Sequence, residues 1–189
     1  MSLNGECAPE ARERCADGVN VAIMNAKQVR LASEDITSIV EIEHHAQVQA
    51  WLYDHVHHDL AREHREYRAF FRKLPTNRQA DILVAKRKGQ VVGFLGLWRR
   101  GDFMEHVATI GVSVHPGWWG RGVATRLIEA AIELARERGL ERLEIETLAE
   151  NAPMRRVAEK LGFTLEGLRK NRIRKDGSYH DEVTYAMFL

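Results

Sequence analysis

The strongest constraint on the fold lies in residues 110–135, which join an apolar run to a glycine-rich turn and a long amphipathic pattern. The apolar run spans residues 110–114, and Gly120 and Gly122 lie in the turn that follows. Apolar residues then recur at helical spacing along one face, at Ala124, Leu127, Ile128, Ala131, Leu134 and Ala135. These residues predict a strand, a glycine loop and a helix, in that order.

The predicted helix lacks a side chain that could cap its first turn. No Ser, Thr, Asp or Asn stands where the N-cap should fall, although the first turn of a helix leaves backbone N–H groups unpaired. Gly120 and Gly122 allow close backbone approach, and Arg121 and the helix dipole favour an anion. A phosphate or pyrophosphate is therefore a predicted ligand, and a tight turn whose N–H groups face water is the alternative.

Two familiar phosphate-binding loops do not fit this segment. A Walker loop ends in Gly-Lys followed by Ser or Thr, and the chain contains no such sequence. A dinucleotide fingerprint opens the first βαβ unit of its fold, whereas this loop lies past the middle of the chain. The loop therefore indicates anion binding of another kind.

The segments before the loop predict antiparallel strands. Residues 82–85 and 91–98 are apolar runs on either side of a turn at Lys88 and Gly89, and residues 106–114 form the next strand. Three antiparallel strands ahead of the loop are unlike a doubly wound nucleotide fold.

Helices are predicted ahead of these strands. A short strand at residues 29–31 leads to a helix over residues 33–45, and a second helical stretch covers residues 51–71. This region holds six of the nine histidines, namely His44, His45, His55, His57, His58 and His64. His55 and His58 could share a helix face with Asp59 as metal ligands. No Cys or HExxH pattern supports such a site, so a solvated face and no metal are expected.

The segments after the long helix supply acids and a second helix start. Residues 143–147 alternate apolar and charged side chains, which places Glu144 and Glu146 on one face of a strand. Asn151 is a predicted N-cap, and residues 163–189 predict a closing hairpin that turns near Asp176.

Two of these segments resemble the GNAT superfamily of N-acetyltransferases. Gly120-Arg121-Gly122-Val123-Ala124 resembles its acyl-coenzyme A pyrophosphate loop, R/Q-x-x-G-x-G/A, with Trp119 at the R/Q position. Residues 151–163 resemble its second motif, N-x-x-A-x-x-x-Y-x-K-x-G-F, and residues 166–181 are similar to members that acetylate free amino compounds or protein N-terminal amines. The resemblance covers about residues 27–189.

The resemblance implies an α/β (α+β) fold, with a mixed, mostly antiparallel central sheet flanked by helices and a splayed pair of central strands. The pantetheine arm would pair with the backbone of Val112 and Val114 in the slot between those strands, and Asn151 would contact it further along. The residues implied to hold the pyrophosphate are Trp119, Gly120, Arg121, Gly122, Val123, Ala124 and Thr125.

The implied function is acetyl transfer from acetyl-CoA, as cosubstrate, to a primary amine by direct attack in a ternary complex without metal. The acceptor would be a small molecule, such as a polyamine or amino acid, or a protein N-terminus such as that of a ribosomal protein. Ala158 stands where many members carry the tyrosine proposed to protonate the departing thiolate. A non-catalytic acyl-CoA-binding or sensing module on the same fold is therefore the alternative.

Three residues are candidates for the base that deprotonates the amine: Glu146, Glu105 and His106. Glu146 is preferred because it lies five residues before Asn151, where a proposed base of some protein N-terminal acetyltransferases of the family is found. Glu144 on the same face is expected to raise the pKa of Glu146. Glu105 is second, since acids on that strand serve other members, and the alternative is that both strand acids are merely solvated.

Composition and the N-terminal residues complete these expectations. The net charge of +1 argues against a broad nucleic-acid surface, and no apolar segment approaches the length of a membrane span. Residues 1–24, with Cys7 and Cys15, have no apolar run and predict a flexible extension to a domain at residues 25–189. A cytoplasmic protein is expected, and a homodimer is left open.

Overall fold

The computed structural model describes residues 20–52 and 59–189 of the chain. These residues form a seven-stranded sheet in which every neighbouring pair is antiparallel except one parallel pair, β4 and β5. The strands are β1 (Ala22–Asn25), β2 (Ala80–Arg87), β3 (Gln90–Arg99), β4 (Val107–Val114), β5 (Arg142–Leu148), β6 (Thr164–Lys175) and β7 (Ser178–Phe188). Their order in the sheet is β1-β2-β3-β4-β5-β7-β6.

Helices cover both faces of the sheet. Those of the described residues are α1 (Ser33–His44), α2 (Ala46–Gln49), α3 (Leu60–Lys73), α4 (Val123–Glu137) and α5 (Ala152–Lys160). One apolar core lies under α4 and α5, and a second lies under α1, α2 and the end of α3. No helix among the described residues is both long enough and apolar enough to cross a lipid bilayer.

Alternation along β2 shows how one strand serves both cores. Leu83 and Ala85 belong to the core under α4, whereas Ile82 and Val84 belong to the core under α1, because successive side chains of a strand point to opposite faces. The predicted mixed, mostly antiparallel sheet flanked by helices is confirmed.

The predicted first strand at residues 29–31 is wrong. The backbone N–H groups of Gln28 and Val29 both donate to the carbonyl of Asn25, at 3.0 and 3.1 Å, so the chain turns here instead of extending. The first strand is β1, and it includes residues 22–24, which were predicted to belong to the flexible extension. Val21, just before it, is 1% exposed. Cys7, Cys15 and the rest of residues 1–19 lie outside the described residues.

Deleting residues 1–24 should therefore destabilise the protein. The deletion removes Val21 and most of β1, and burial of a valine side chain contributes about 1.5–3 kcal/mol. For a chain of this size we expect the melting temperature to fall by about 5 °C or more in scanning calorimetry. Deletion of residues 1–19 is the comparison, because it keeps Val21 and β1, and the longer deletion should melt at a lower temperature than this one by about the same 5 °C or more. Full-length melting behaviour in the longer deletion would contradict the role of β1.

The predicted helical stretch at residues 51–71 is only partly correct. The helix α3 begins at Leu60, where Asp59 acts as its N-cap by accepting a hydrogen bond from the N–H of Arg62 at 3.1 Å. An aspartate considered as a metal ligand therefore has a structural role as a cap. His55, His57 and His58 lie outside the described residues, so the expectation about them stays a prediction.

Candidate functional site

A gap opens in the sheet between β4 and β5. Their parallel ladder pairs residues 107–109 with residues 142–144 and stops there within the described chain. Each strand continues beyond that point with its other neighbour, since β4 pairs with β3 up to Val114 and β5 pairs with β7 up to Leu148. Residues 110–114 and 145–148 therefore border a gap in the middle of the sheet.

The backbone of β4 presents polar groups to this gap. The N–H of His115 donates to Val92 at 2.9 Å, and the N–H of Arg100 donates to Val107 at 3.0 Å, both across the ladder between β3 and β4. Hydrogen-bonded pairs alternate in an antiparallel ladder, so odd-numbered residues of β4 face β3. The N–H and C=O groups of Val112 and Val114 consequently point toward β5 and the gap.

Trp119 closes part of this edge in a way that the sequence did not reveal. Its indole Nε1 donates a hydrogen bond of 2.7 Å to the carbonyl oxygen of Val114. The residue at the R/Q position of the loop is thus tied to the end of β4. One of the two lone pairs of the Val114 carbonyl is already used, which leaves less of that oxygen for a ligand.

Replacing Trp119 with phenylalanine tests this hydrogen bond. The variant keeps an aromatic ring but removes the donor, and losing one neutral hydrogen bond costs about 0.5–1.5 kcal/mol. Urea titration should therefore give a free energy of unfolding lower by about 1 kcal/mol. Trp118→Phe is the matched control, because the ring of Trp118 instead lies under the guanidinium of Arg121. An equal loss of stability in both variants would contradict the assignment.

The loop after β4 forms a cradle of backbone N–H groups at the start of α4. Gly120 and Gly122 have φ angles of +70° and +78°, which favour glycine, and Gly122 is the N-cap of α4 with no side-chain cap. Among the described contacts, none of the N–H groups of residues 120–125 donates a hydrogen bond. An uncapped helix start with free N–H groups favours an anion.

The space next to the two glycines of this loop is open. A Cβ atom built on Gly120 or Gly122 meets no heavy atom within 4 Å. The guanidinium of Arg121 stacks 5.2 Å from the ring centre of Trp118 and adds a positive charge at the rim. The loop can therefore accept an anionic group directly against its backbone.

Asn151 lies across the gap from the loop, after the end of β5. Its Oδ1 accepts from the N–H of Met154 at 3.2 Å, and its Nδ2 donates to Thr147 Oγ1 at 3.0 Å. The predicted N-cap of α5 is confirmed. Both polar atoms of the Asn151 side chain already form hydrogen bonds that hold α5 against β5. If Asn151 also contacts pantetheine as predicted, the same atoms must serve both contacts.

Glu144 and Glu146 lie on the face of β5 opposite the core under α4, as the alternation predicts. The Glu146 carboxylate lies 2.7 Å from Arg169 and 3.6 Å from Arg100. Arg100 also pairs with Glu144 at 3.2 Å, and Arg142 does so at 2.9 Å. The expected repulsion between the two acids is thus offset by the guanidinium groups of Arg100, Arg142 and Arg169.

The candidates for the base occupy different ends of the parallel pair. Glu146 lies beyond the last paired residue of β5, beside the gap. Glu105 and His106 are exposed and precede β4, and the carbonyl of His106 accepts from the N–H of Arg142 at 3.1 Å, at the closed end. The structure therefore brings Glu146, and neither Glu105 nor His106, to the open part of the gap.

The position of the missing tyrosine lies in the core. Ala158 is 0% exposed. Another tyrosine, Tyr185 of β7, donates to Glu159 at 2.7 Å and accepts from Arg155 at 3.2 Å. Burial, and then the hydrogen bond to Glu159, raises the pKa of Tyr185 above its ordinary value. The sequence did not single out this residue, because its approach to α5 depends on the pairing of β7 with β5.

Two hydrogen bonds cross-link the helix layer on the face that also carries Glu146. His44 bonds to the carboxylate of Glu63, and the hydroxyl of Tyr67 donates to Glu43. Burial, and then the charge of Glu43, raises the pKa of Tyr67 well above its usual range. The hydroxyl therefore remains a donor, and α1 and α3 form a fixed wall.

Two further contacts connect this wall to the strands around the gap. The rings of His45 and His115 pack edge to face with centres 5.5 Å apart. The ammonium group of Lys175, near the β6–β7 turn, donates to the carbonyl oxygen of Leu52 at 2.7 Å and to that of Gln49. The first contact places the end of α1 beside the end of β4, and the second places the turn of the closing hairpin beside the end of α2.

The described residues contain no group of three or more His, Cys, Asp or Glu side chains arranged to hold a metal ion. His55 and His58, the candidate metal ligands among the histidines, lie outside these residues. The expectation that no metal takes part stays a prediction.

Comparison with known proteins agrees with this geometry. The model of a family described as the acetyltransferase (GNAT) family matches residues 41–163. A candidate ribosomal protein bS18-alanine N-acetyltransferase of Bacillus subtilis (strain 168) is 27% identical over 138 residues, which are 73% of this chain and 80% of that protein. The L-amino acid N-acetyltransferase AaaT of Escherichia coli (strain K12) is 36% identical over 106 residues, 55% of this chain and 65% of that protein.

A solved structure shows the same fold. It is that of a candidate acetyltransferase from Salmonella typhimurium with its cofactor acetyl-CoA, which has a TM-score of 0.71 and 24% identity and matches 88% of this chain and 94% of that one. The family model covers well over half of the chain, and the gap in the sheet and the loop at the head of α4 agree with it. This chain therefore belongs to the GNAT family of acetyltransferases.

Proposed function

We propose that this protein transfers the acetyl group of acetyl-CoA to a primary amine, by direct attack in a ternary complex. The observation that carries the proposal is the gap between β4 and β5, which ends at an uncapped, glycine-lined helix start. An extended ligand with amide groups and a pyrophosphate matches both features, since a strand edge needs hydrogen-bond partners and a helix start favours an anion.

The residues fit this coenzyme in a defined order. The backbone groups of Val112 and Val114 would pair with the amides of pantetheine, as in the addition of a strand to a sheet edge. The N–H groups of residues 120–125 would hold the pyrophosphate. Trp119 would keep the loop close to the end of β4, because its indole already bonds to Val114.

The reaction forms one C–N bond and breaks one C–S bond. The neutral amine attacks the thioester carbonyl carbon, the thiolate of coenzyme A leaves, and the new amide nitrogen loses a proton. Glu146, beside the gap, is the proposed acceptor of the amine proton, directly or through water. A backbone N–H on the open edge of β4 would polarise the thioester carbonyl.

Protonation of the departing thiolate is assigned to water in this proposal. Ala158 has no hydroxyl, and the hydroxyl of Tyr185 is used in contacts with Glu159 and Arg155. A thiolate is a reasonable leaving group near neutral pH, so the absence of this acid affects the rate more than the type of reaction.

Two classes of acceptor compete in this proposal. One relative is named for the N-terminal alanine of a ribosomal protein, and another is named for L-amino acids. Both are primary amines next to a carbonyl or carboxyl group. The acceptor would enter beside the wall of α1 and α3, on the face that carries Glu146.

Incubation of the protein with acetyl-CoA and a library of amines and peptides tests the proposal. Mass spectrometry should detect an acceptor heavier by one acetyl group, and a thiol reagent should detect release of coenzyme A in equal amount. Binding of acetyl-CoA without acetylation of any library member would favour a non-catalytic acyl-CoA-binding module.

A further inference from the structure

A cavity of about 680 Å³ lies beside the edge strand β1, away from the gap. The loop between β1 and α1 forms one wall, and the last two turns of α3 form the other. None of its lining residues belongs to β4, β5 or the loop at residues 119–125. Ligand pockets in proteins are commonly about 300–1,000 Å³, so this cavity can hold a small organic molecule.

The charged side chains of this cavity are all cations. They are Lys27, Arg30, Arg68 and Arg72, and no aspartate or glutamate lines it. The whole chain has 28 Lys and Arg residues against 27 Asp and Glu residues, so charges of both signs would be expected at a random patch. The cavity therefore concentrates positive charge in a nearly neutral protein.

Two of the four cations already have partners that shape the walls. The Lys27 ammonium lies 3.3 Å from the buried carboxylate of Asp81, and Arg68 Nη2 donates to Ser33 Oγ at 2.8 Å, which joins the wall of α3 to that of α1. Neither Arg30 nor Arg72 forms an ion pair within residues 20–52 and 59–189. Their charge is available to a ligand.

The walls are fixed before any ligand enters. The N–H of Lys27 donates to Asn25 Oδ1 at 2.9 Å, and those of Gln28 and Val29 donate to the Asn25 carbonyl. The start of α1 is fixed by Asp35, which accepts from the N–H of Ala32 at 2.9 Å. Apolar side chains complete the lining, namely Leu31, Ile36, Phe71 and Pro75. A preformed pocket avoids the entropy cost of ordering its loop on binding.

We propose that this cavity, which we name the α1–α3 pocket, binds an organic anion: a carboxylate or phosphate group attached to an apolar body. The anionic group would pair with Arg30 and Arg72, since guanidinium forks suit both carboxylate and phosphate. The apolar body would lie against Phe71 and Leu31. The pocket is a second ligand site, separate from the one assigned to acetyl-CoA.

Calorimetric titration with small probes tests the proposal in the full-length protein. Phenyl phosphate and phenylacetate are the anionic probes, and phenylacetamide is the neutral counterpart of the second. Both anions, or one of them, should bind more tightly than the amide, and the comparison between them identifies the preferred anionic group. Binding should persist when acetyl-CoA is saturating, because the pocket shares no residue with the loop at the head of α4.

The double variant Arg30→Gln, Arg72→Gln should weaken binding of the anion at least tenfold. Arg65→Gln, Arg78→Gln is the matched control, because it removes the same charge from exposed residues that do not line the pocket. The control should bind as the wild type does. Any of four results would overturn the proposal. Neither anion binds, the amide binds as tightly as the anions, acetyl-CoA displaces the probe, or both double variants weaken binding equally. The readout is probe binding, so it does not depend on whether the protein acetylates an amine.

Discussion

Replacing Gly122 with valine should severely weaken the binding of acetyl-CoA to a protein that still folds. Gly122 has a φ of +78°, and a Cβ atom at this position meets no protein atom within 4 Å. A valine side chain would therefore project into the open space assigned to the pyrophosphate. It would also strain the loop by about 1–3 kcal/mol. We expect the dissociation constant in calorimetry to rise at least about a hundredfold, which corresponds to about 2.7 kcal/mol.

Gly139→Val provides the control for the strain. Gly139 follows the other end of α4, has a φ of +70°, and likewise has no heavy atom within 4 Å of a Cβ atom. The two variants should lose similar amounts of stability, about 1–3 kcal/mol, but only Gly122→Val should lose the coenzyme. If both folded variants bind acetyl-CoA with wild-type affinity, the loop is an ordinary turn and the assignment of the pyrophosphate is wrong.

The second large effect is expected for Glu146→Gln. The substitution keeps the size of the side chain but removes the carboxylate beside the gap, and loss of a general base typically lowers turnover by about 10²–10⁴-fold. Steady-state kinetics with a saturating acceptor should show this loss. The affinity for acetyl-CoA should stay within a few-fold of the wild type, because Glu146 is not part of the coenzyme cradle.

Two further variants make the assignment specific. Glu144→Gln removes a carboxylate that shares Arg100 with Glu146 but lies within the paired part of β5. It should lower turnover much less than Glu146→Gln does, and equal losses would indicate that both acids act only through their ion pairs. If Glu146→Gln keeps the wild-type turnover and pH–rate profile while Glu105→Gln loses both, the base is Glu105.

Local patterns in the sequence were sufficient for much of the fold. The Asn151 cap and the helix α4 depend on residues close together in the chain, and the structure agrees with both predictions. The strand β1 was missed because four residues are too few to show a clear alternating pattern, and because it pairs with a strand about 60 positions away. A short segment of this kind becomes a strand through tertiary pairing.

Some features of the candidate site were likewise predictable from local sequence, and others were not. The glycines of the loop could be identified from the sequence, since their role depends on local backbone geometry. The bond from Trp119 to Val114 and the ion pairs of Glu146 with Arg100 and Arg169 could not. Arg100 directly follows β3 and Arg169 lies on β6, so their meeting with Glu146 depends on sheet order and register, which sequence spacing does not give.

The short ladder between β4 and β5 also has a mechanical consequence. The helix α4 packs on β1 to β4, whereas α5 packs on β5 and β6, so the sheet consists of two leaves that each carry their own helix. Besides the apolar core that α4 and α5 share, the leaves are joined within the described chain by three residue pairs of one ladder, the ion pairs of Arg100 and the ammonium of Lys175.

A seam with so few hydrogen bonds is a natural place for local opening. Amide hydrogens along the free edges of β4 and β5 should exchange faster than those of the full-length ladder between β2 and β3. A ligand that hydrogen-bonds into the seam holds the two leaves together, and saturation at a hundred times its dissociation constant adds about 2.7 kcal/mol of stability. The coenzyme would then be a structural member of the sheet as well as a reactant, and its departure after turnover would loosen the protein along this seam.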